Sequence, residues 1–230
     1  MKKLLLITLA FIASVNLNAQ SPAWVCMNVS VDPSGQEEFV EALDNFMSSI
    51  DIPFNITLNA VRFANSDVEF SHQLCFLGES AESFAAWGVG GPPPRIEGVL
   101  FFNAFEEFAE VEQLVLGHHM IFSAYNLDYN FAAVFAMNVS DPIKFGGAFA
   151  QLVESYDSDS GSFELHEALL GQESDVTHYW IVRTNNVGSF LSARAEFMNS
   201  TQLASFISSA QGSFEQVFSF GSIIDKRYNQ

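Results

Sequence analysis

Basic residues are scarce in this chain. Nine Lys and Arg stand against 27 Asp and Glu. Nucleic acids and anionic lipid surfaces are held mainly by clustered Lys and Arg, so neither is an expected partner. The acidic residues are scattered and form no tail, which describes a solvated anionic surface that resists aggregation. Cysteine is scarcer still, with two in 230 residues, too few for a Cys-rich zinc module. Cys-X-X-Cys, His-Glu-X-X-His, a phosphate-cradling Gly-rich loop and a nucleophile elbow are all missing. Nothing in the sequence names a reaction, and no metal or other cofactor is expected. After the first twenty positions no stretch is long and apolar enough to span a bilayer, which takes roughly 20 residues.

Aromatic volume, by contrast, is abundant. The chain carries 24 Phe, and 49% of its residues are hydrophobic. That much apolar surface has to be buried, so the chain folds around a core. The start reads as a secretory signal: Lys2 and Lys3 precede the apolar run Leu4 to Val15, and Leu17-Asn18-Ala19 offers a small-residue cleavage site before Gln20. Residues 1–19 are therefore expected to be removed, leaving a periplasmic or secreted protein with no membrane anchor. Its charge would be 7 − 27 = −20, because the signal takes two basic residues and no acidic ones. In an exported chain a Cys26–Cys75 disulfide is the first expectation, with two buried thiols as the alternative.

The mature part repeats itself. Met27-Asn28-Val29-Ser30 followed by Asp32-Pro33 returns as Met137-Asn138-Val139-Ser140 followed by Asp141-Pro142. Ser66-Asp67-Val68 matches Ser174-Asp175-Val176, Ser71-His72 matches Thr177-His178, and Ser83-Phe84 matches Ser189-Phe190. Glu112-Gln113 and Tyr125-Asn126 find counterparts in Glu215-Gln216 and Tyr228-Asn229. The offset drifts in order from 110 to 103, as small changes in loop length would make it do. Two repeats follow, over residues 20–128 and 129–230.

Overlaid, the copies predict one order of elements. A strand (Ala23 to Val31; Ala132 to Val139) alternates apolar and mixed positions with period two. Asp-Pro stops it and opens a helix (Gly35 to Ser49; Ile143 to Ser155). A hairpin follows (Ile56 to Ala64 with Glu69 to Leu77; Phe163 to Leu170 with Val176 to Thr184), then a helical region. A last strand closes each copy, His118 to Leu127 and Phe218 to Tyr228. The fold class is α+β, with β-α-β-β-α-β ferredoxin-like repeats. Such a module covers one sheet face with helices and leaves the other open, and two modules in one chain can cover each other. The pattern resembles the dimeric α/β-barrel superfamily in a fused, single-chain form, whose members include antibiotic-biosynthesis-type monooxygenases, stress-responsive barrel proteins and haem-handling enzymes. The resemblance covers nearly all of the mature chain but carries no catalytic motif over. It implies a monomer, because the second copy supplies the partner sheet. The mixed face of Trp24, Cys26, Asn28 and Ser30 is expected to look into the shared interior.

Six residues stand out as ligand-binding candidates: His72, His178, Asn28, Asn138, Trp24 and Trp180. The two histidines occupy matching strand positions and could form a symmetric acid–base pair; equally, each could hydrogen-bond its own turn. Asn is depleted in strands, so Asn28 and Asn138 need a reason: orienting a ligand, or bonding to each other across the interface. His118 and His119 are adjacent, and a strand sends neighbours to opposite faces, so they cannot share an ion. His166, matched by Leu58, stands unpaired. Gly88 to Pro94, with three consecutive prolines, is an irregular connection, either lid or inert loop. Three functions stay open: binding a small apolar molecule in a Phe-lined cavity, a monooxygenase- or cyclase-like enzyme using His and Asn without a tightly bound metal, and a structural module.

Overall fold

In the computed structural model the described residues are 22–50, 54–84, 96–122, 128–155 and 161–228. The expected signal, the Gly88–Pro94 connection and Tyr125-Asn126 lie outside them. The first half contains β1 (Ala23–Val31), α1 (Gln36–Ser49), β2 (Asn55–Ala64), β3 (His72–Gly78), α2 (Ile96–Phe108) and β4 (Ala109–Phe122). The second contains β5 (Phe131–Val139), α3 (Pro142–Ser155), β6 (Ser162–Leu170), β7 (His178–Thr184), α4 (Val187–Met198), α5 (Thr201–Ala210) and β8 (Phe214–Tyr228).

Local chemistry explains the boundaries. After β1 the Asp32 carboxylate accepts from the Ser34 backbone N–H at 2.8 Å, and Pro33 opens a short 3-10 turn that leads into α1. Asn186 caps α4 through the Ser189 N–H at 2.9 Å, and Ser200 caps α5 through the Leu203 N–H at 3.1 Å. Phe39, Leu43 and Met47, four apart, form the buried stripe of α1, and Phe145, Phe149 and Leu152 do the same for α3.

All eight strands form one closed antiparallel barrel in the order β1-β3-β2-β8-β5-β7-β6-β4, with β4 pairing β1 again. The halves are hydrogen-bonded together at two seams, β2 with β8 and β4 with β6. Helices cover the outside. Val29, Phe39, Leu43 and Phe101 anchor the helix–sheet layer of the first half; Met137, Phe145, Phe149 and Phe206 anchor that of the second. The third apolar cluster is the barrel interior, with Trp24, Val115, Val134, Tyr179, Phe218 and Phe220. This is the fused dimeric α/β-barrel architecture. Trp24, Cys26 and Asn28 do face the interior.

Four details depart from the sequence reading. The closing strands start earlier than expected, at Ala109 and Phe214, because they pair along the whole of β1 and β5. Strands β3 and β7 begin later, at the histidines. The helical region of the second half is two helices, broken at Asn199-Ser200. The fourth concerns the repeat itself. Ser71 Oγ accepts from Val31 N–H at 2.9 Å and Thr177 Oγ1 accepts from Val139 N–H at 2.8 Å, which makes Val31 and Val139 equivalent. The bulges agree, falling after Asn28 in β1 and after Ala136 in β5. Asn28 therefore corresponds to Ala136 in space, two residues short of its match by sequence.

Cys26 and Cys75 sit directly opposite on β1 and β3 and are disulfide-bonded, across a sequence separation of 49. Their spatial counterparts are Val134 and Ile181, also directly opposite. Replacing the bridge by that pair, Cys26→Val with Cys75→Ile, should preserve the barrel and cost up to about 4 kcal/mol of stability, the loop-closure value for this separation. Urea unfolding measures it, with a steeper denaturant dependence expected for the unlinked chain. Unchanged stability would show that the bridge constrains nothing.

Candidate active site in the barrel interior

Alternation along each strand decides what enters the barrel. From β1, β3 and β4 come Trp24, Cys26, Asn28, Gln73, Cys75 and Val115; from the second half come His166 on β6, and Tyr179, Ile181 and Arg183 on β7. Together they surround a cavity of about 70 Å³. Gly117 lies across from Trp24 in the β1–β4 ladder, and any side chain there would collide with the indole. The missing Cβ is what makes room for the Trp24 ring in the interior.

At the β4–β6 seam the interior holds charge. Glu164 and His166 are two apart on β6 and share a face, and His119 of β4 is directly opposite His166, their rings 4.1 Å apart. Glu164 is 1% exposed. One of its oxygens takes the Arg183 Nε–H at 2.7 Å and the Ser162 hydroxyl at 3.3 Å; the other lies 3.0 Å from His166 Nε2. Burial by itself would raise the Glu164 pKa, but the Arg183 charge and the His166 hydrogen bond outweigh it and bring it to about 2. An ionised carboxylate only accepts, so His166 Nε2 carries the proton. Burial holds the His166 pKa below its usual value, against the pull of Glu164, and the ring is neutral. His119 is lowered to about 2 by burial and by its neighbour His166. His166 Nδ1 is left as a bare lone pair on a ring that lines the cavity. The ring of Trp24 lies 5.8 Å from His166 and 5.9 Å from Tyr179, and its indole N–H is buried without an acceptor.

His119, Glu164 and His166 also place three metal-ligand atoms within 4.8 Å of one another. The carboxylate is already neutralised by Arg183, so a dication would add buried positive charge beside a guanidinium. The donor set suits proton chemistry better than a resident cation.

Of the residues singled out by sequence, Trp24 and Asn28 line the cavity. Asn28 does not bond to a symmetry mate: it accepts from Gln73 at 2.8 Å and donates to Gln113 at 3.0 Å, both within its own half. Asn138 lies beyond the bulge, half-buried, and does not line the cavity. His72 and His178 share no site. Both face the helix layer, where His72 meets Ser71 Oγ at 2.9 Å and His178 meets Thr177 Oγ1 at 2.9 Å. Each histidine hydrogen-bonds its own turn. Trp180 also faces the helices, packed on Phe149 and Phe206. His118 points outward, 3.5 Å from Glu167, so the neighbouring histidines do part to opposite faces. His166 corresponds to Asn59 in space, not Leu58, and is paired after all, with His119 and Glu164. Sequence reasoning missed Glu164, Arg183 and His119. The available signal was Glu164 and His166 at period two in an otherwise apolar strand.

No family model and no curated protein matches the chain. Solved structures do. A putative monooxygenase from Lactobacillus acidophilus is 10% identical, with a TM-score of 0.65 over 91% of this chain and 97% of its own. A second, from Fusobacterium nucleatum, is 10% identical with a TM-score of 0.59 over 91% and 95%. An anthrone oxidase-like protein is 10% identical with a TM-score of 0.58 over 90% and 92%. At such identity the likeness is one of fold.

The seam cluster makes stability acid-sensitive. Both histidines have folded pKa values below the ordinary 6.5, and Glu164 lies below 4.5. Groups depressed in this way stabilise above the unfolded pKa and lose that contribution as pH falls. Stability should therefore decline from about pH 6.5 downward, by about 1.4 kcal/mol per pH unit for each extra proton the unfolded chain takes up. His119→Leu should flatten the slope of urea-derived stability between roughly pH 6 and 4.5 by up to one such proton. An unchanged slope would mean that His119 is not held neutral by the fold.

Proposed function

We propose that the barrel interior is an active site in which His166 is the general base for a small, largely apolar O–H or C–H acid, such as a phenol or an enolisable ketone. One observation carries this reading: a neutral histidine, fixed in its Nε2–H tautomer by an ionised Glu164–Arg183 pair and left with an unprotonated Nδ1, is part of the cavity wall. Glu164 and Arg183 position the ring and keep it basic. The reaction begins when Nδ1 takes the proton, leaving an enolate or phenolate in the substrate. Arg183 lines the same cavity and stabilises that anion through its charge, with the Trp24 N–H as the available donor. Tyr179, Phe218, Phe220 and Ile181 supply the apolar walls that select such a substrate.

Proton removal of this kind is the first step of an oxygenase- or cyclase-like reaction without a tightly bound metal. The fold's likeness to putative monooxygenases and to an anthrone oxidase-like protein supports that class, since an anthrone is itself an enolisable aryl ketone. The cavity is smaller than the roughly 150 Å³ that holds one benzene ring. A ring substrate therefore enters with movement of Phe70, the wall residue supplied by the β2–β3 connection and packed edge-on against Phe220.

Naphthols and enolisable aryl ketones are the compounds to offer, with oxygen uptake and product absorbance as readouts. His166→Gln should lower kcat by about 100-fold or more, while His118→Gln, on the outer face, should leave it within about twofold, the range of a surface change. Full activity in His166→Gln would overturn the proposal. So would activity that requires an added divalent metal and disappears with chelator, which would make His119, Glu164 and His166 a ligand set.

Export and a monomeric state belong to the same proposal. The leader-like residues 1–19 and the Cys26–Cys75 bond support an oxidising compartment, and a barrel closed within one chain leaves no sheet face requiring a partner. N-terminal sequencing of exported protein should begin near Gln20, and sedimentation should give one chain. An intact Met1 or a stable dimer would remove the corresponding part.

A further inference from the structure

A second cavity lies outside the barrel, on the helix side of the second half. In the first half α2 lays Phe101 onto α1, against Phe39 at 6.0 Å and Phe46 at 5.3 Å. In the second half α5 takes that role, with Phe206 5.8 Å from Phe145 of α3. Helix α4 has no counterpart of its length among the described residues of the first half, and it roofs a cavity of about 230 Å³ over β5 and β7. The walls are aromatic and aliphatic: Phe135, Met137, Phe197, Leu203 and Phe214 among them.

Two polar groups on this cavity lack protein partners. The Trp180 indole N–H is shut off from solvent with no acceptor, and a buried donor without an acceptor is costly to a fold. The other is the Arg194 side chain, exposed on α4 at the cavity's edge. Among the described residues Arg62, Arg183 and Lys226 pair with carboxylates, and Lys144 and Arg227 donate to backbone carbonyls. Arg194 does neither, in a chain with 27 acidic residues and nine basic ones. An unpaired guanidinium beside a Phe-lined space has one chemical complement, an apolar body ending in an anion.

We infer that this cavity binds a medium-chain carboxylic acid, its hydrocarbon among the phenylalanines and its carboxylate on Arg194. The volume sets the size. By proportion to benzene in a cavity of roughly 150 Å³, it holds about nine heavy atoms, close to octanoate. The site is separate from the barrel interior and does not depend on the general-base reading.

Octanoate, 1-octanol and 1-octylamine share a body and differ in head group, so they are the probes. Calorimetric titration of the full chain should show octanoate binding at least about tenfold more tightly than octanol, the ratio one charge-assisted contact supplies, with octylamine weaker again. Arg194→Gln, an exposed change that leaves the fold alone, should bring octanoate down to the octanol value and leave octanol unaltered. The Trp180 indole N–H resonance, assigned by its loss in Trp180→Phe, should shift as octanoate is added, and that of Trp24 should stay still. Equal binding of acid and alcohol, indifference to Arg194→Gln, or a shift confined to Trp24 would each overturn the inference.

Discussion

Closure of the sheet is the constraint on which everything else depends. A β-α-β-β-α-β half ends in two open edges, here β2 and β4, each with a row of backbone donors and acceptors that must be satisfied. The second half supplies β8 and β6, and both edges vanish into one barrel. The interior follows from the geometry. Eight strands make a barrel that side chains just fill, so every inward position competes for the same small volume. Large rings (Trp24, Tyr179, Phe218, Phe220) can be accommodated only beside small residues such as Ala132, Ala136 and Gly117. The cavity is what this packing leaves over.

The seams also decide where chemistry can occur. His119 meets His166 because β4 pairs with β6 across the boundary between copies. Trp24 comes from one half and His166, Tyr179 and Arg183 from the other. The equivalent places have diverged. Where the second half has Glu164, His166 and Arg183, the first has Thr57, Asn59 and Leu77. A symmetric dimer would carry either both sets or neither, whereas a duplicated chain can place Glu164, His166 and Arg183 at one seam and leave Thr57, Asn59 and Leu77 at the matching positions of the other half.

This explains which parts were legible in the sequence. Period-two strands, the Asp32-Pro33 stop and the four-residue spacing of Phe39, Leu43 and Met47 are local signals, and they led to the correct order of elements. The repeat was visible too, yet its clearest match misled. Asn28 and Asn138 align by sequence but differ by two residues in the barrel, because strand register follows the pairing, in which the Val31 and Val139 N–H groups donate to Ser71 and Thr177, rather than the motif. A shift of two keeps a residue on the same face while moving it along the barrel, so Asn138 kept the interior pattern and lost the site. His72 and His178 were correctly seen as equivalent; their faces, however, are fixed by pairing partners that a single sequence does not display. The His119–His166 contact has the same origin, being a relation between strands of different copies.

The charged cluster itself is poor structural material, which gives the functional reading its force. A buried ion pair recovers through its own attraction little more than its desolvation costs, and well-packed apolar groups of the same volume often stabilise a core as well or better. The first half shows the apolar alternative at one of these positions: the counterpart of Arg183 is Leu77, packed in the interior cluster, while Thr57 and Asn59 keep the other two uncharged. Stability therefore gives no reason to bury Glu164, Arg183 and two neutral histidines at the β4–β6 seam. What the cluster provides and an apolar seam cannot is a histidine with a fixed tautomer and an unprotonated nitrogen beside a cavity. Glu164 needs Arg183 to remain ionised in a site that is 1% exposed, and His166 needs Glu164 to hold its proton on Nε2. The order of dependence runs from guanidinium to carboxylate to imidazole, and it ends at the group that the proposed reaction uses as its base.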